Sequence, residues 1–281
     1  MSTPVDWRNS TNRLAAATRI ANIQAYASTV ARTTVAPIDH FYAQVTSILQ
    51  VATPTFLAQH ASLGALFMVG FVSTTENYFR DIFARIVATC PIAQSRASDE
   101  KISLGTVVWH KGDLPERGAF EHLSFTSAKS IQNAARAFLD YSWKDTSPSG
   151  AALIEFEKIC ELRHGIVHSG GILGGKNALR LDLRRTAANA SIVVNFAELQ
   201  ESAAVCSTLV SAANQELFSE MVQRWALAWR KQASWDAKRA NRRFGELWRL
   251  FHSEADARLG LTAAPMTQQQ CRKQVCREFK L

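Results

Sequence analysis

Apolar residues recur along most of this chain three or four apart, the spacing of a helix. Only briefly do they alternate as in a strand. Residues 11–51 read as helical: "TNRLAAATRIANIQAYASTVART" carries a broad alanine-rich face, Pro37 breaks the run, and "IDHFYAQVTSILQV" resumes it. Thr53-Pro54 reads as a turn. One long helix is expected over residues 56–89, with Leu63, Phe67, Phe71, Tyr78 and Ile82 close to one stripe. Glu76 and Arg80 stand four apart on it and are placed to pair, and Pro91 ends it. Residues 92–125, with "SLGTVVW" and "KGDLPERG", read as irregular with one short strand. A helix follows from about Ser127 to Trp143, with Ile131, Ala135 and Phe138 inward, and then the loop "KDTSPSG". The next helix starts near Ser149, buries Leu153, Phe156, Ile159, Ile166 and Val167, and stops at Gly170 and Gly171. "ALRLDL" (178–183) and "SIVVNF" (191–196) predict a small hairpin. Asn195 followed by Glu198 reads as a capping box opening a helix that runs through Ala212 to about Trp229.

The pattern predicts a mainly all-α fold with a small β-hairpin or strand insertion and extra terminal helices. A helical core is expected over 55–230, with N-terminal helices over 1–54 packing on it and a basic extension over 231–281. With 281 residues, 47% of them hydrophobic, the chain can bury a core without staples. The longest apolar run, "ALFMVGFV", is far short of the roughly 20 residues of a membrane span. "MSTPVDWRNSTNR" lacks the apolar stretch of a secretory signal. Five cysteines, odd in number and without a CxxC pair, suit a reducing compartment, so a cytoplasmic setting is expected. The formal charge of +8 tilts the partner list toward polyanions, nucleic acid first.

The chemistry concentrates in "ELRHGIVHSGG", residues 161–171. His164 and His168 are four apart and share a helix face. Arg163 and His168 are five apart, about 140° around an ideal helix. To serve one site, the arginine must curl over, or a second copy of the helix must face the first across a two-fold axis. Histidine titrates near neutrality, and arginine grips phosphate with a planar fork. Such a set cleaves RNA without a metal or any other cofactor: a base draws the proton from the ribose 2′-hydroxyl, arginine holds the charge developing on phosphorus, and an acid protonates the leaving oxygen. Other roles fit the same residues. A histidine at a helix end also caps it. Arg163 also suits an ion pair with Glu157 or Glu161. Cys160, His164 and His168, spaced four and four, suit a zinc ion, although a fourth ligand is not evident.

In this stretch the chain resembles the HEPN ribonucleases, whose hallmark is an arginine, four to six residues, and a histidine, usually with a polar residue after the arginine. "RHGIVH" matches with Arg163, polar His164 and His168, late in a helical domain and followed by "SGG". The upstream "FVSTTENYFRDIF" is similar to the second helix of the branch related to the RiboL-PSP nucleases. The resemblance covers roughly residues 55–230. It implies an up-and-down helical bundle, a homodimer with a composite metal-independent endoribonuclease site, and a setting in toxin–antitoxin, phage-defence or RNA-processing systems, with a possible antitoxin or defence partner. It also implies catalytic roles for Arg163, His168 and His164, with Glu76 as a supporting group. Asparagine is common after the arginine in that family, and histidine stands there in this chain. A non-catalytic helical module that binds RNA or protein is the alternative.

Residues 224–249 hold eight cationic side chains against Asp236 and Glu246, interleaved with Trp225, Trp229, Trp235 and Trp248. Cations hold a phosphate backbone and aromatics stack on unpaired bases, so Arg239, Arg242 and Arg243 are candidate RNA contacts. The four-residue spacing of Trp225 and Trp229 favours core tryptophans beneath a solvated basic face. Cys271 and Cys276 read as free thiols.

Overall fold

A computed structural model describes residues 7–11, 18–28, 34–110, 115–184 and 188–281. These form two compact units, Met1–Thr34 and Val35–Leu281. In the first, the described residues hold two short 3₁₀ turns, Trp7–Ser10 and Ile23–Tyr26, the second capped by the Asn22 side chain. The helix expected from residue 11 therefore does not form over 18–28; residues 12–17 and 29–33 lie outside the described residues.

The second unit is helical. Its α-helices are α1 Pro37–Val51, α2 Pro54–Gln59, α3 Ser62–Thr89, α4 Pro91–Ala97, α5 Leu104–His110, α6 Pro115–Gly118, α7 Ala128–Leu139, α8 Pro148–His168, α9 Gly175–Arg180, α10 Phe196–Gln223, α11 Ala240–Phe251, α12 Glu254–Leu259 and α13 Gln268–Glu278. Helices α1 and α11–α13 belong to this unit, so both flanks of the expected core are built into it. Proline opens five of these helices, α1, α2, α4, α6 and α8, at the first turn, where its missing N–H costs nothing. Pro37 thus starts a helix rather than interrupting one. Similarly, the run expected over 56–89 divides at His60–Ala61 into α2 and α3.

The long helices α3, α8 and α10 pack on one another, with α1 and α11 against α3 and α10. Phe71, Tyr78 and Ile82 of the predicted stripe are buried, while Leu63 and Phe67 are half-buried at its N-terminal end. Phe79, Phe83, Phe120 and Phe125 add an aromatic cluster, and Ile131, Ala135 and Phe138 close it from α7. Helix α7 ends before Trp143, at Asp140 in a left-handed conformation (φ 52°). The Asn195–Glu198 capping box opens α10 as expected. Past Gln223 that helix loosens into a π-helical turn, Arg224–Ala228, and a 3₁₀ turn, Trp229–Lys231.

Two expected strands are helices instead. "SLGTVVW" forms most of α5, and residues 178–180 of "ALRLDL" lie in α9. The predicted pairing of 178–183 with 191–196 is not seen among the described residues; Ser191 instead bridges Ile172, outside the first expected strand. Six alternating residues fit a strand or one helical turn equally well, and tertiary contacts decide.

Buried polar links tie the helices together. The Tyr78 hydroxyl on α3 donates to Asn214 Oδ1 on α10 (3.2 Å), and Asn214 Nδ2 donates to the Phe251 carbonyl at the end of α11 (2.9 Å). Burial pushes the Tyr78 hydroxyl well above its usual pKa, so it stays a donor. Replacing Asn214 with leucine leaves that hydroxyl and a carbonyl unpaired in the core. Asn214→Leu is expected to lower unfolding free energy by about 1–3 kcal/mol in urea titration, the cost of a buried unsatisfied group.

Candidate functional site

Helix α8 carries the motif, and its ends are firmly set. Ser147 Oγ accepts the Gly150 N–H (3.1 Å), Pro148 starts the first turn, and Glu216 of α10 accepts from Ser147 Oγ and the Ser149 N–H. Leu153, Phe156, Ile159 and Cys160 bury one face against the bundle. At the C-terminus the Ser169 and Gly171 N–H groups both donate to the Gly165 carbonyl (3.1 Å each). Gly170 (φ 61°) and Gly171 (φ 84°) supply the left-handed turn that a side chain would strain.

The chain then folds back over α8. Leu173 donates to the Ala190 carbonyl and Ile192 to that of Gly171 (2.8 Å). This return segment sits over Gly165, where a Cβ would come within 2.7 Å of Ile192 Cδ1. The glycine inside "RHGIVH" is therefore a packing seat. Ile166 is half-buried beside it, whereas Val167 points outward, contrary to expectation.

Arg163, His164 and His168 face solvent on the other side. The guanidinium curls along the helix, and Arg163 Nη1 lies 3.4 Å from His168 Nε2 within one chain. Arginine can only donate, so this contact requires His168 Nε2 to accept, with the ring proton on Nδ1. The His164 and His168 rings stand 4.7 Å apart, tilted by 49°. The first of the two ways to unite Arg163 with His168, the arginine curling over, is thus open within one chain.

Beside the motif opens a polar cleft of about 200 Å³. Arg163 and His164 form one wall, α9 contributes Lys176, Asn177 and Arg180, and Thr126 and Ser127 stand at the entry to α7. Two carboxylates reach it, and both are committed. Glu157 Oε2 accepts the Ala128 N–H at the start of α7 (2.6 Å). Glu161, buried, accepts from Asn177 Nδ2 (2.6 Å) and Arg180 Nη1 (2.5 Å), which docks α9 on α8. Neither carboxylate forms an ion pair with Arg163. The lining sets three cations, Arg163, Lys176 and Arg180, against these two carboxylates, so the cleft keeps a net positive charge.

Glu76 stands outside this lining. Its Oε1 accepts from Arg80 Nη2 (3.1 Å), as expected, and from the Phe125 N–H (3.0 Å). Arg80 also binds the carbonyls of Phe120 (3.3 Å) and Leu123 (3.1 Å). Together they clamp the segment that delivers Thr126 and Ser127, so Glu76 shapes the cleft wall from behind.

Cys160 lines the cleft yet is buried, and desolvation, reinforced by Glu157, pushes its thiol far up. Among the described residues no three His, Cys, Asp or Glu side chains are grouped to hold a metal ion, so Cys160, His164 and His168 do not form the zinc triad their spacing allows.

The basic C-terminal residues lie elsewhere. Arg239 pairs with Asp236 (3.3 Å), and Arg242 and Arg243 share Glu246 (2.9 and 3.7 Å), all three exposed or nearly so. Trp225 and Trp229 are fully buried, so those two belong to the core. The Arg230 guanidinium lies 5.0 Å from the ring centres of both Trp225 and Trp235. Among the described residues, no helix is long and apolar enough to cross a membrane.

Lys176, Asn177, Arg180, Thr126 and Ser127 were not singled out in the sequence. The four-residue spacing of Lys176 and Arg180 is the one available signal, and the strand-like alternation of "ALRLDL" obscures it. Compared with family models, curated proteins and solved structures, the chain matches none.

The sealed floor of the cleft is testable by alkylation. With iodoacetamide near neutral pH, native protein should label at half-exposed Cys276 well before Cys160 or buried Cys206, whose thiol burial pushes up to about 12. Mass spectrometry showing Cys160 modified as fast as Cys276 would contradict this floor.

Proposed function

We propose that the protein is a metal-independent endoribonuclease acting through Arg163, His168 and His164. One observation carries the reading: Arg163 and His164 line a solvent-open polar cleft, and exposed His168 lies against both of them, instead of the three being sealed beneath apolar side chains. A motif kept only for packing, as in a non-catalytic binding module, would bury these groups. Here Gly165 and Ile166 do the packing and the titratable residues face outward.

In this reading Arg163 turns from His168 to the incoming phosphate, which frees the Nε2 lone pair of His168 to take the proton of a ribose 2′-hydroxyl. The 2′-oxygen attacks the adjacent phosphorus, and Arg163 neutralises the charge that builds on the phosphoryl oxygens. The bond from phosphorus to the 5′-oxygen breaks as His164 gives that oxygen a proton. The products are a 2′,3′-cyclic phosphate and a 5′-hydroxyl end. The nucleophile belongs to the substrate, so the chain needs none of its own.

Purified protein should cleave RNA in excess chelator and leave 2′,3′-cyclic ends. His168→Ala should lose on the order of two to four decades of rate, the usual contribution of general acid–base catalysis. Equal cleavage by matched preparations of wild type and His168→Ala overturns the proposal.

The intramolecular contact also supports a pair that works within one chain, even if the protein forms the homodimer its resemblance implies. Mixing Arg163→Ala with His168→Ala protein should then leave activity at the level of the separate variants. Recovery on mixing would instead require a site shared between subunits.

A further inference from the structure

The proposed reaction uses Arg163, His164 and His168 and leaves the far side of the cleft without a role. That side is built by α9. Lys176 is exposed and has no carboxylate partner among the described residues, while Arg180 spends one nitrogen on Glu161 and remains about half exposed (54%). Arg163 and His164 line the same cleft, so motif and α9 contribute cations to one site. The carboxylates there offset only part of this charge: Glu157, held by the Ala128 N–H, and Glu161, held by Asn177 and Arg180, stand against three cations, Arg163, Lys176 and Arg180. The buried Glu161–Asn177 link also means that α9 is held in register with the motif helix.

We propose that the Lys176–Arg180 side of the cleft is a phosphate subsite that grips a non-scissile phosphate of a single-stranded RNA. Its place in one cleft with Arg163 suits a ligand with phosphates repeated along one strand, one for each group of cations. Lysine supplies a point charge and arginine a planar fork, and both suit phosphate oxygens. The Thr126 and Ser127 hydroxyls at the opposite rim suit the sugar–phosphate backbone. The protein therefore prefers strands of several nucleotides to dinucleotides. The assignment of the neighbouring phosphate as the scissile one rests on the nuclease reading; the grip itself does not.

The test measures binding and cleavage separately. A fluorescent 2′-O-methyl octanucleotide lacks the nucleophile and reports binding alone by anisotropy. Lys176→Ala and Lys176→Glu alter an exposed side chain, and matched melting curves verify their folding. The expected result is weaker binding, greatest for the charge reversal, and for Lys176→Ala a salt slope shallower by roughly 0.7, one lost contact on a single strand. In cleavage, the wild-type preference for an octanucleotide over a dinucleotide should narrow in Lys176→Ala. Unchanged affinity and slope in both variants overturn the subsite, even if RNA is cleaved. Lys176-dependent binding without cleavage supports the subsite and overturns the nuclease. A glutamate-rich peptide of equal charge that binds as tightly, with the same dependence on Lys176, overturns the phosphate assignment in favour of an acidic protein partner.

Discussion

The cleft depends on one buried carboxylate. Glu161 sits in the motif helix two residues before Arg163, nearly out of solvent, where a lone charge would cost several kcal/mol. It is tolerated because Asn177 and Arg180 reach it from α9. That network sets α9 against α8, turns Lys176 and Arg180 toward the motif, and removes from Arg163 the carboxylate nearest to it in sequence. Arg163 is thereby left to His168 and to whatever anion enters. A second carboxylate of the same helix, Glu157, is spent on the N-terminus of α7 and positions the opposite wall. Two acidic residues of the motif helix thus hold the walls of the site while leaving Arg163 free of an ion pair with either.

Much of this was legible in the sequence where local physics decides. Proline, the capping box at Asn195 and Glu198, the glycine stop at Gly170 and Gly171, and the Glu76–Arg80 pair each act within a few residues, and the helices begin, end or pair accordingly. The mainly all-α class follows from the dominance of helical periodicity. Position by position, however, periodicity misjudged Val167, which faces solvent, and it split α2 from α3 nowhere. It also read α5 and α9 as strands. What makes α9 a helix at the cleft is its contact with Glu161, and a pairing across sixteen residues leaves no local trace.

The motif was legible as a set of residue types, and its geometry was not. Spacing left open whether Arg163 reaches His168 within a chain or across a dimer. In the structure the arginine side chain is long enough to span the angle between the two positions and reach His168 within one chain. Likewise, the basic tail looked like the main polyanion surface by charge count. Its three candidate arginines share Asp236 and Glu246, whereas the cleft cations Arg163 and Lys176 have no carboxylate partner among the described residues. Local pairing, rather than the number of positive residues, determines where an anion finds uncompensated charge.

The central claim is that an RNA strand lies against Arg163, His164 and His168. Imidazole NMR of the histidine-labelled protein, titrated with a 2′-O-methyl oligonucleotide to saturation, tests it directly. The account predicts that the ring signals of His164 and His168 move together along the binding curve, and that Arg163→Ala weakens the titration. An oligonucleotide that saturates the protein while both rings stay unmoved would place RNA elsewhere and contradict the account.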